Sequence, residues 1–264
     1  MHRPSTGTRV VPGAPNTRDL AGLRDGTGLR VGSGLLYRGA GVAVGPLAER
    51  VGLRLVVDLR DRRETPGEPS PRDVTVLSRP LVTDRSVIKS SAAPQPSHYL
   101  AYYRQLARLA APTAAELVGL LAEPTGLPLL VCCSAGKDRT SVVCALALRS
   151  LGVRRAELAR DHALTARLFR RDPATARSMA WARDLGVREL AARTAAPGFV
   201  LWTLLRDLER EHGSVLRFLM GHGLSPDTAR RARRVVLTGH RAPTTGTGRT
   251  GVAVRPTSSS EELT

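Results

Sequence analysis

The 264-residue chain is 42% hydrophobic and carries 40 basic against 23 acidic side chains, a net charge of +17. That is enough apolar material for one or two domains with a sizeable core, and no apolar run approaches the ~18 residues of a membrane-spanning helix. Of the basic residues 38 are Arg, scattered rather than clustered, and the nine aromatics do not interleave with them along a groove, so the charge favours anionic ligands rather than nucleic acid.

Residues 1–15, rich in Pro, Gly and Thr, read as a flexible arm without the apolar stretch of a signal peptide. Leu53–Asp58 is a short β-branched run and a buried strand, and Val74–Leu77 is a second. Pro66–Pro71 and Ala92–Pro96 read as loops, the latter a candidate flap. Helical apolar spacing marks Tyr99–Leu109 and Thr113–Ala122. A third strand, Leu129–Cys132, is followed by helices over Thr140–Leu151, Arg155–Phe169 and Phe199–Glu211. Ser225 as N-cap and Pro226 in the first helical position open a last helix to about Val236. Residues 238–264 read as a disordered tail. Short strands alternating with helices predict one α/β domain over 16–237, a central sheet flanked by helices and a helix-rich C-terminal half. The three cysteines, Cys132, Cys133 and Cys144, make no disulfide framework and indicate a reducing compartment. A cytoplasmic protein is expected, with no integral membrane association and with unconventional export left open.

The stretch Leu129–Thr140 carries the chemistry. An apolar strand leads through small residues into a helix, and such a turn offers unpaired N–H groups and the positive end of the helix dipole to a phosphate. Ala135 and Gly136 bring no large side chain into that bowl, and Ser134 lines it. Cys133 stands at its start, where the same groups stabilise a thiolate. Arg139, six residues on, offers a guanidinium fork to phosphate oxygens. Lys137 is one of only two lysines in the chain and supplies a compact charge for a second anionic group. Beside a bound dianion the protonated form of Asp138 is favoured, which suits a general acid, although Asp138 also fits as a helix cap. Thr140 follows Arg139 with a hydroxyl. No cluster of His, Cys, Asp or Glu has metal-ligand spacing, and neither metal nor cofactor is expected.

The stretch Cys133-Ser134-Ala135-Gly136-Lys137-Asp138-Arg139-Thr140 resembles the loop of the bacterial atypical tyrosine and lipid phosphatases. Asn16-Thr17-Arg18-Asp19-Leu20-Ala21-Gly22, Leu36-Tyr37-Arg38-Gly39-Ala40 and Val57-Asp58-Leu59-Arg60-Asp61-Arg62-Arg63-Glu64 resemble three further boxes of that family in the right order. The resemblance implies a cysteine-phosphatase-like sheet and a two-step hydrolysis. In it Cys133 attacks phosphorus, Arg139 and the loop amides hold the phosphocysteine, Asp138 protonates the leaving group and Thr140 assists the departing thiolate. Cys132 stands where the family has His.

The substrates this implies are phosphorylated proteins (phosphotyrosine, also phosphoserine or phosphothreonine) and phosphoinositides. A small phosphorylated metabolite, or a pseudoenzyme that binds phosphate without turnover, fits the same loop. Asp58 is read as a strand-end anchor that also borders the substrate pocket, and Asp84 as a second candidate acid. Arg18, Asp19 and Arg38 read as a buried ion network and Cys144 as a core residue. Tyr99, Tyr102 and Tyr103 read as a core stripe, with a helix covering the pocket as the alternative, and His98 and His162 receive no role.

Overall fold

The computed structural model describes residues 10–237 apart from 13, 42–43, 66–72, 83–95, 178 and 180–181. The 66–71 loop, the 92–95 flap, Asp84, the first nine residues of the arm and the tail all lie outside the described residues.

Five strands form the sheet: β1 (Arg18–Asp19), β2 (Leu36–Ala40), β3 (Leu55–Asp58), β4 (Thr75–Ser78) and β5 (Leu129–Cys133). Their spatial order is β1-β2-β5-β3-β4; β1 is antiparallel to β2 and the other pairs are parallel. β5 is central, pairing Cys133 with Ala40 on one side and Cys132 with Asp58 on the other. Ligands of such sheets bind beyond the carboxyl ends of the strands, where β5 hands over to the loop.

Alternation along β5 divides the core in two. Leu129, Val131 and Cys133 face the larger cluster, while Leu130 and Cys132 join Tyr37, Leu47, Leu53 and Val56 on the opposite face. That second face is covered by α1 (Val44–Val51), which supplies Leu47. The larger core is covered by α2 (Pro96–Leu121), packed on α3 (Asp138–Ser150), with α4 (Arg155–Arg171), α7 (Gly198–His212), α8 (Val215–Met220) and α9 (Pro226–Leu237) around them. Two short helices, α5 (Pro173–Arg177) and α6 (Val187–Thr194), intervene between α4 and α7. Phe169, Ala176, Met179, Ala182 and Leu190 from this region pack with Ala40 and against Ala135 of the loop.

The two helices expected over 99–109 and 113–122 are one continuous helix, with Pro112 inside it. Proline there removes one helical hydrogen bond, but the stripe Leu106, Ala110, Ala114, Leu117, Val118 and Leu121 is fully buried on both sides of it. Burial of that face outweighs the lost bond. Ser225 caps α9 as expected, its hydroxyl accepting from the Thr228 amide at 3.1 Å.

Candidate active site

β5 ends at Cys133 and α3 starts at Asp138, so Ser134, Ala135, Gly136 and Lys137 make the turn. Its carbonyls are drawn back into the protein. Asn16 Nδ2 donates to Ala135 O at 2.8 Å and Gly136 O at 2.9 Å, and Arg38 Nη2 donates to Gly136 O at 2.8 Å and Lys137 O at 3.3 Å. A planar peptide whose carbonyl is held on one side directs the N–H of the next residue to the other, here the amides of Gly136, Lys137 and Asp138. Among the described residues the amides of Ser134, Ala135 and Gly136 donate to nothing. The result is a nest of amides at the start of α3, electrostatically suited to an anion. Gly136 has φ +61°, and a Cβ there would lie 2.3 Å from the carbonyl carbon of Gly39. Only glycine fits both restrictions.

Cys133 is 3% exposed, a free thiol beneath this nest. Its neighbour Cys132 points to the opposite core, where burial, with Asp58 alongside, pushes its thiol well up. Cys144 is buried on α3, and burial raises its thiol to about 12.

The Arg139 guanidinium is held from below. Nη1 donates to Glu64 Oε2 at 2.6 Å and to Leu59 O at 3.0 Å; Nη2 donates to Glu64 Oε1 at 2.6 Å and Ser134 Oγ at 2.9 Å. Ser134 also donates to Glu64. Burial alone would raise the Glu64 carboxyl, but the bonds from Arg139 and Ser134 hold it at about 2. Burial opposes the charge on Arg139, and the bond to Glu64 and the proximity of Cys133 outweigh it, raising its basicity. In the sequence Glu64 appears only as the last residue of a box; its role as the counter-ion of Arg139 is a structural finding. The capping box between Asp61 and Glu64 fixes the short 3₁₀ turn that presents it.

Asp138, in the first turn of α3, accepts from the Tyr103 hydroxyl at 2.8 Å and lies 3.5 Å from the Lys137 ammonium. Thr140 in the same turn is fully buried, and its hydroxyl has no partner among the described residues. Lys137 does not reach outward. Its ammonium donates to Arg193 O at 2.8 Å and Ala195 O at 3.0 Å, at the C-terminal end of α6, where helix carbonyls carry partial negative charge. Asp58 is engaged by Arg60, from Nε at 3.1 Å and Nη2 at 2.9 Å, which anchors the end of β3.

Behind the loop lies the buried network expected of Arg18 and Arg38, with a counter-ion the sequence did not single out. Asp161 on α4 accepts from Arg18 Nε at 2.7 Å and from Arg38 Nη1 at 2.6 Å. Asp19 accepts from the amides of Ala21 and Gly34 at 3.0 and 2.8 Å. His162, beside Asp161, places Nδ1 2.7 Å from Ser141 Oγ and Nε2 3.1 Å from Tyr103 Oη. Tyr102 and Tyr103 are buried, as a core stripe requires, but the Tyr103 hydroxyl turns to the site. Asn16, Glu64, Ser141, Asp161 and His162 carried no functional signal in the sequence beyond the boxes holding Asn16 and Glu64.

A profile of the tyrosine phosphatase family matches residues 10–238. Among curated proteins none matches the chain. Among solved structures, TpbA of P. aeruginosa is 22% identical, with 73% of this chain and 99% of that chain covered and a TM-score of 0.35. The C132S form of TpbA in complex with pTyr is 21% identical over 73% and 98%, with a TM-score of 0.34. OH1 from the Orf virus, a tyrosine phosphatase with triple substrate specificity, is 13% identical over 78% and 84%, with a TM-score of 0.28.

Proposed function

The chain belongs to the tyrosine phosphatase family, and from that premise we propose that Cys133, Asp138 and Arg139 hydrolyse phosphate monoesters in two steps. Cysteine-based phosphomonoester hydrolysis is the activity of the family; the residue roles and substrates are our reading of this chain. The Cys133 thiolate attacks phosphorus and the P–O bond to the leaving group breaks, while Asp138 gives that oxygen its proton. Ser134, Ala135, Gly136 and Arg139 hold the equatorial oxygens of the phosphocysteine. Water then attacks phosphorus and the P–S bond breaks. Asp138 accepts the proton of the water, and Thr140 offers its hydroxyl to the departing thiolate.

One observation carries this reading: the loop between Cys133 and Arg139 has the carbonyls of Ala135, Gly136 and Lys137 gripped from behind by Asn16 and Arg38, and the amides of Ser134, Ala135 and Gly136 donate to nothing among the described residues. A structural turn has no need of such an arrangement. Lys137 adds a fixed positive charge beside the bowl, paired with the α6 carbonyls. That charge favours dianionic esters and supports phosphotyrosine, phosphoserine or phosphothreonine of proteins and phosphoinositides as substrates. Asp58, tied to Arg60, acts in this reading through the end of β3.

Hydrolysis of p-nitrophenyl phosphate by the wild type and by Cys133→Ser tests the mechanism; the variant is expected to lose turnover completely, and undiminished turnover would reject it. Release of phosphate from phosphopeptides, phosphoinositides and sugar or nucleoside phosphates at equal concentration ranks the substrates. Preference for the last group would make the enzyme a metabolite phosphatase. Tight phosphopeptide binding without release would make it a pseudoenzyme.

A further inference from the structure

Five side chains from three helices and a strand form one buried chain of hydrogen bonds that ends on Asp138. Arg38 Nη2 donates to Ser141 Oγ, Ser141 Oγ contacts His162 Nδ1 at 2.7 Å, His162 Nε2 contacts Tyr103 Oη at 3.1 Å, and Tyr103 donates to Asp138 Oδ1 at 2.8 Å. The chemistry of the two ends fixes its direction. A guanidinium only donates and a carboxylate only accepts. Tyr103 has a single proton, which goes to the ionised Asp138, so its oxygen accepts from His162 Nε2–H. Nδ1 of the neutral ring is then bare and takes the proton of Ser141, whose oxygen accepts from Arg38. Burial, with Arg38 close by, takes the His162 imidazole down to about 3, in keeping with a neutral ring. All of these side chains are buried or nearly so.

We propose that Tyr103 and His162 are positioning residues for the leaving-group acid, holding Asp138 at the edge of the loop and favouring the carboxylate that proton donation creates. This deepens the reading of Asp138 as the acid and rests on it. The chain cannot conduct a proton onward, because it ends on Arg38, which cannot accept one. It polarises instead: each donor strengthens the next bond toward Asp138. The other charged groups around it are Lys137 on the loop, Asp161 on α4 and Arg38 itself on β2, with Tyr102 beside Tyr103.

The experiment is the pH profile of kcat/KM with phenyl phosphate, whose leaving group needs a proton, compared with p-nitrophenyl phosphate. In Tyr103→Phe the ring keeps its edge contacts with Tyr102 and His162 and only the hydroxyl is lost. The basic limb is expected to move up by about one pH unit, as for a lost bond to a charged acceptor, with a larger fall in kcat for phenyl phosphate. His162→Gln is expected to move it the same way by less, and the double variant no further than Tyr103→Phe alone. A fall in turnover with the limb unmoved, or shifts that simply add, would overturn the proposal. Asp138→Asn separates the two levels: loss of the basic limb upholds Asp138 as the acid whatever the tyrosine does, and an unchanged limb removes that premise.

Discussion

Glu64 takes one N–H from each terminal nitrogen of Arg139, while Leu59 O and Ser134 Oγ take the others, so only Nε–H has no partner among the described residues. The fork that the sequence assigns to phosphate therefore already has four of its five N–H groups engaged. In the proposed reaction a phosphate approaching side-on takes Nε–H, and takes Nη2–H once Ser134 yields it. Glu64 acts in two opposed ways: it fixes the guanidinium plane, and its charge repels the substrate. Glu64→Asp keeps the charge and shortens the reach, so it isolates the first effect. We expect it to lower kcat/KM about tenfold, the scale of one charged hydrogen bond, and Glu64→Gln to do the same. A gain in Glu64→Gln would mean that repulsion dominates. Because the Glu64 carboxyl stands at about 2, this dependence should be flat across neutral pH.

Helix α4 buries Leu158, Asp161, His162, Thr165 and Phe169 along one face, a helical stripe whose middle is polar. Asp161 meets two arginines there, and Thr165 accepts from Arg18 at 3.3 Å. Both titratable groups make the fold acid-labile, and the sign is the same for each. His162 drops from 6.5 to about 3 through burial and the neighbouring Arg38, so the unfolded chain binds its proton first. Its contribution is complete above pH 6.5 and is lost as pH falls toward 3. For Asp161, burial raises the carboxyl, but Arg18 and Arg38 overcome it and lower it from 3.8 to about 2. Its contribution is complete above pH 4 or so and is lost toward 2. Urea denaturation between about pH 7 and 4 should show stability declining by up to about 1.4 kcal/mol per pH unit, and His162→Gln should flatten that decline. Asp161→Asn leaves two buried guanidinium groups facing each other and should cost about 3–5 kcal/mol at neutral pH. A stability within 1 kcal/mol of wild type would show the network to be replaceable.

At the scale of the molecule, the net charge of +17 acts by long-range attraction. Raising salt from about 0.1 M to about 1 M shortens the screening length from ~10 Å to ~3 Å, so KM for phosphorylated peptides should rise several-fold with kcat unchanged; an unmoved KM would confine the attraction to the loop itself. What the sequence discloses follows the same division between local and distant. The strands read at Leu53–Asp58 and Leu129–Cys132, and the loop, were legible because apolar runs and the Cys-to-Arg spacing are local signals. β2 was not seen as a strand: Leu36-Tyr37-Arg38-Gly39-Ala40 is entirely buried, yet it holds an arginine, a residue rarely buried unless paired, and a glycine that strand propensity disfavours. It is a strand because β1 and β5 pair with it and Gly39 leaves room for Thr17. α1 is eight residues long with Gly45 and Pro46 inside it, too short to declare a period. The polar face of α4 was unreadable for a different reason, since its partners lie more than a hundred positions upstream. The grip of Asn16 and Arg38 on the loop carbonyls has a temporal corollary. A nascent chain that has just exposed Arg139 already displays the whole signature, but the arginine gripping it still lacks Asp161, so newly made enzyme should gain competence only after α4 has cleared the ribosome. An excised 129–150 peptide should never gain it.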